Sequence, residues 1–253
     1  MMRRAQTLIV SLLAIFITFV IAFTSLTTTP RMFQTTALEV AILSLNETIK
    51  GCFAYATDKK WNNILKNQQL IKSANSEDVN LNAQTYFDEC IKYTILYLEK
   101  LYQIRITLTK NIHFEDNNNY YNIIASITRD EYKLQVNFKR NIFIYVNKIE
   151  IKETSTFKIL SINFSLKGFS SNYVKVQVYL LENNLYKKIS DIYLLPENMA
   201  QNQYIIDVGI EPKYLVSGRD DTGLLVFLVR VIDDDGASVW WRGEVAVRDV
   251  TAP

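Results

Sequence analysis

The sequence predicts an α+β protein: an N-terminal transmembrane helix, an extracytoplasmic helical stalk, then an antiparallel β meander and an Ig-like β-sandwich. Three observations predict it. No charged residue lies between Arg4 and Arg31. Apolar residues then recur every three or four positions from Leu38 to Ala56, and again from Phe87 to Leu101. From Ile104 onward the period falls to two. The divisions this implies are 1–29 for a short basic leader and membrane helix, 30–103 for the stalk, 104–153 for the meander and 154–253 for the sandwich.

Within the charge-free stretch, Leu8 to Leu26 is almost entirely apolar. A bilayer core of about 30 Å takes roughly 20 such residues in a helix, so the segment has the length of a span. A cleaved signal peptide usually has a shorter apolar region and a small-x-small exit, and Thr24-Ser25-Leu26-Thr27 offers no good exit of that kind. With Arg3 and Arg4 before the span, the positive-inside rule places that end in the cytoplasm and the bulk of the chain outside it. Thr7, Ser11, Ala14, Thr18, Ala22 and Ser25 follow steps of three and four and line one helix face. Helices in lipid associate through such small-residue faces, where backbones approach closely. The expected partners are therefore the membrane and, through this stripe, further copies or related subunits.

Arg3-Arg4-Ala5-Gln6-Thr7-Leu8, running straight into the apolar helix, resembles the class III signal of archaeal type IV pilin-like proteins. The resemblance covers about the first 26 residues. It implies cutting by a prepilin peptidase between Ala5 and Gln6, with Arg4 in the recognised basic stretch and the helix kept on the mature protein. In that family the helices bundle in a filament core and the globular parts face outward. Val10 stands where many bacterial-type pilins carry a glutamate.

Pro30 marks a kink or a fresh helix start, since proline breaks a helix interior but is tolerated in its first turn. Leu38, Ile42, Leu45, Ile49, Cys52 and Ala56 then form one apolar stripe, with Thr35 or Thr36 as cap and Glu39 close behind. A second helix is predicted over Ala83–Tyr102, joined by a polar connection from Lys66 to Asn82. Cys52 and Cys90 each fall on the inward stripe, and outside the cytoplasm a disulfide between them would persist. Two buried thiols are the alternative reading.

The β part opens with a turn at Glu115–Asn119, and Asn122–Ile127 pairs with Tyr132–Lys139 across Thr128-Arg129-Asp130. Ile142–Ile151 continues the meander. Six further strands are predicted: Phe157–Leu166, Val174–Leu181, Lys187–Leu194, Tyr204–Ile210, Leu224–Ile232 and Val239–Val247. Short strands at regular spacing with turn signals between them are the pattern of a sandwich.

Chemistry-bearing patterns are sparse. One histidine, His113, nearly removes His-based triads and His-rich metal sites, and two cysteines cannot build a Cys₄ metal site. A net charge of +2 does not suit nucleic acid. No phosphate loop, dinucleotide fingerprint or nucleophile elbow occurs. Asp220-Asp221 and Asp233–Asp235 read as solvated turns before they read as calcium ligands. Trp240-Trp241 on one strand sends its indoles to opposite faces. Asn46-Glu47-Thr48 and Asn163-Phe164-Ser165 are glycosylation sequons. The expectation is no catalytic residue, no metal and no cofactor. Instead the chain reads as a single-pass surface protein of pilin-like kind, a structural or adhesive subunit. The alternative is an anchored extracytoplasmic ligand- or protein-binding module of a membrane complex.

Overall fold

The computed structural model describes residues 38–65, 76–154, 157–169, 173–182, 185–194, 203–212, 214 and 224–246. The expected membrane helix, its small-residue stripe and the Thr35 or Thr36 cap lie outside these residues. Among the described residues no helix is long and apolar enough to cross a membrane.

Among the described residues the fold is α+β, with two long helices and antiparallel sheets. Helix α1 covers 38–65 and helix α2 covers Ser76–Tyr102. Leu45, Ile49 and Phe53 of α1 and Ala83, Phe87 and Ile91 of α2 are buried at helical spacing. Helix α2 starts inside the stretch expected to be a connection from Lys66 to Asn82. The asparagines that made 76–82 read as loop are weak helix formers.

Strands β1 (Arg105–Phe114), β2 (Asn118–Arg129), β3 (Tyr132–Glu153), β4 (Lys158–Lys167) and β7 (Gln203–Ile210) form a five-stranded sheet in the order β1-β2-β3-β4-β7. Strands β5 (Val174–Glu182), β6 (Leu185–Leu194), β8 (Leu224–Ile232) and β9 (Ser238–Ala246) form a second sheet, ordered β6-β5-β8-β9. The six strands expected after residue 154 are found within two residues of their predicted bounds.

Strand β3 departs from expectation. Tyr132–Lys139 and Ile142–Ile151 are not two meander strands but one, because the alternation runs through Arg140-Asn141 in phase and both residues stay paired with β2, opposite Tyr121 and Tyr120. Phe138, Ile142 and Ile144 all face the core. A bulge between Val146 and Lys148 then shifts the phase, so that Ile149 and Ile151 take the inward positions opposite Ile162 and Leu160. The first half of β3 pairs with β2 and the second half with β4, and at Phe143 it pairs with both, opposite Asn118 and Lys167. The division at 153/154 therefore falls inside one sheet. Gly168 closes this handover: its φ is +78°, and a Cβ there would overlap the carbonyl oxygen of Asn141.

The inward faces of both sheets and the apolar faces of both helices share one hydrophobic core. The helices are thus not a stalk standing apart from the strands. Phe53 of α1 packs on Phe114 and Tyr121, ring centroids 5.4 and 4.9 Å away. Farther along, Trp61 lies on the other face of the second sheet, among Tyr179, Leu228 and Trp240. This explains why β8 is buried on both faces from Leu225 to Val231.

Candidate functional site

The polar groups of the molecule converge where α1, the β1–β2 turn, the middle of β3 and the β8–β9 turn meet. Each arrives there by a local rule. Thr57, Lys60 and Trp61 continue the buried stripe of α1. Arg140 occupies an inward position of β3, opposite Tyr121. Arg230 sits in the apolar run of β8, and Asp233 to Gly236 is the tight turn after it, closed by the Gly236 amide donating to the Asp233 carbonyl at 2.9 Å.

Arg140 reaches across from β3 with both terminal nitrogens, one to the Asp233 carboxylate and one to that of Asp235. The Asp233 side chain is fully buried and that of Arg140 nearly so. Lys60 Nζ donates to the Phe114 carbonyl at 2.5 Å and lies 3.5 Å from Asp116. Burial pulls the Lys60 ammonium down from its ordinary 10.5 to about 8, against the opposing pull of Asp116. Burial also raises the Asp116 carboxyl, partly offset by Lys60. Arg230 donates to Asp58 at 2.9 Å and to the Ser238 hydroxyl at 3.2 Å, with its guanidinium 5.1 Å from the Trp61 ring.

Backbone groups complete the seam. The Trp240 amide donates to the Asp116 carbonyl at 2.9 Å, and the Ser238 amide to the Thr57 hydroxyl at 3.2 Å. Asn119 Nδ2 donates to the Ser238 carbonyl at 2.7 Å. Helix, meander and second sheet are tied at several independent points, and those from Lys60 to Phe114 and from Asn119 to Ser238 are buried, where hydrogen bonds are stronger. The arrangement holds three structural parts at a fixed angle.

Sequence reasoning missed this junction, although a signal existed: Lys60, Arg140 and Arg230 are charges at positions that the period assigns to the core. The residues it did name are placed as follows. Cys52 and Cys90 form a disulfide joining α1 to α2. Asn46 is half-buried on α1, and Asn163 is half-buried on the outer face of β4, accepting from Asn147 at 3.1 Å. Arg4, Ala5 and Gln6, together with Thr7, Ser11, Ala14, Thr18, Ala22 and Ser25, lie outside the described residues, as do Asp220 and Asp221. Carboxylate oxygens of Asp233, Asp234 and Asp235 lie within 4.8 Å of one another, and Arg140 supplies the positive charge facing them. His113 is exposed on β1 and stacks on Tyr120 at 4.7 Å. Trp240 is buried against Trp61, and Trp241 is half-buried against Phe227 at 5.8 Å, so neither indole stands free.

No family model, curated protein or solved structure matches the chain.

Proposed function

We propose that the protein is a single-pass surface subunit of type IV pilin-like kind, anchored by residues 8–26 and displaying its sheets outside the membrane. The observation that carries this reading is the uncharged apolar run from Leu8 to Leu26, preceded by Arg3 and Arg4 and carrying its small residues on one face.

Features of the fold support it. The disulfide Cys52–Cys90 belongs in an oxidising compartment. The strand order supports a display role: β3-β4-β7 in one sheet and β6-β5-β8-β9 in the other correspond to A-B-E and C′-C-F-G of an Ig-like sandwich. Strands β1 and β2 extend its first sheet, and the helices pack on that extension. Helix α2 leaves Tyr93, Leu96, Tyr97 and Leu101 more than half exposed, apolar surface available to a neighbouring subunit. The polar junction suits a subunit that must hold its outer sheets at one angle to its helices.

The mature N-terminus, determined by mass spectrometry on protein from native membranes, tests the reading. A chain beginning at Gln6 and retained in the membrane is expected. A chain beginning beyond Thr24, released from the membrane, overturns it.

A further inference from the structure

We propose that the outer face of the first sheet binds an acidic saccharide, in a cleft built on β2 and β3 where β3 passes from one strand partner to the next. The cleft encloses about 500 Å³ and is lined by Asn118, Tyr120, Tyr121, Asn122, Lys139, Arg140 and Asn141. The strand register puts Tyr120 opposite Asn141 and Asn122 opposite Lys139, so these four side chains stand on the outward face together with Asn118.

Their chemistry is specific. The exposed carboxamides of Asn122 and Asn141 offer paired donors and acceptors, the match for adjacent sugar hydroxyls. The Tyr120 ring, backed by the stacked His113 ring, offers a flat apolar surface to the C–H face of a pyranose. Along the same face of β3, Phe143 and Tyr145 continue the aromatic surface, with centroids 6.4 Å apart and Tyr145 58% exposed. From Asn141 to Tyr145 the strand rises roughly 13 Å, a length suited to an oligosaccharide and not to a single ring.

Charge selects the acidic class. Among the described residues no carboxylate lines the cleft. Arg140 is engaged inward by Asp233 and Asp235, whereas Lys139 is exposed and has no ion-pair partner among the described residues. Its ammonium is therefore available to a carboxylate on the ligand. The inference does not depend on residues 8–26 spanning a bilayer, so the two proposals stand or fall separately.

Titration of the full chain in detergent with an oligogalacturonate, and with the methyl ester of the same oligomer, tests it by calorimetry and ligand-observed NMR. The acid is expected to bind at least ten times more tightly than the ester. Tyr120→Ala should weaken binding of the acid at least tenfold, and Lys139→Gln should abolish the preference for acid over ester. Tyr193→Ala, on exposed β6, should change neither. Circular dichroism establishes that each variant is folded, and Asn141→Ala, which should also weaken binding, replaces Tyr120→Ala if that variant is not. Binding of neither oligomer, or binding unchanged by the cleft substitutions, overturns the site. Equal binding of acid and ester overturns its acidic specificity.

Discussion

Lys60 shows what one residue costs and secures in this molecule. Its side chain is 2% exposed, and burial holds its proton affinity down to about 8. The unfolded chain keeps that proton up to about 10.5. Between those values the unfolded state binds more protons than the folded one, so this group makes stability rise with pH. Below pH 8 both states are protonated and the cost of the buried charge is constant. Urea unfolding of the wild type and Lys60→Met at pH 7 and pH 9.5 should show the wild type gaining on the variant. The gain is up to about 1.4 kcal/mol per pH unit above 8.

Arg140 illustrates the opposite case, a buried cation with two carboxylate partners. Arg140→Ala strands the fully buried Asp233 without its partner, and removing one member of a buried pair costs about 3–5 kcal/mol. Thermal and urea unfolding should register a loss of that size. Both residues left a trace in the sequence. Arg140 lies two positions from Phe138 and two from Ile142, on the inward phase of its strand, and Lys60 lies on the stripe through Phe53 and Ala56. Their partners were not legible, because Asp116, Asp233 and Asp235 read as ordinary turn residues until the fold brings them to those cations.

Among elements, the helical pair depends on its cross-link. Cys52 and Cys90 are 38 residues apart, and closing a loop of that length in the unfolded chain stabilises the folded one by about 4 kcal/mol on the loop-entropy model. The double variant Cys52→Ser/Cys90→Ser should unfold at lower urea by that amount, and reduction of the wild type should reproduce the shift. The strands were the most legible elements, since alternation and turn residues are local properties. Strand β3 was the exception. The alternation runs through Arg140-Asn141 in phase, but two adjacent polar residues there read as a break between strands, although the sheet has one. Helix α2 erred the other way: polar residues 76–82 read as a connection, yet they form its first turns.

At the scale of the molecule, β3 makes β1-β2 continuous with β4-β7 in one sheet, and α1 ties that sheet to the second from the side. Thr57, Asp58 and Lys60 each bond to a different partner across the junction: Ser238, Arg230 and the Phe114–Asp116 segment.

The amino-acid order alone determined the class, the strands after residue 154 and the apolar run at the start, because alternation, helical period and hydropathy act over a few neighbouring residues. Tertiary structure decided three things: that the helices share the core of the sheets, that β3 joins two sets of strands, and that Arg140 meets Asp233. Each depends on segments distant in the chain arriving at one place, and the free energy of such an encounter has no local signature beyond a charge on a face that ought to be dry.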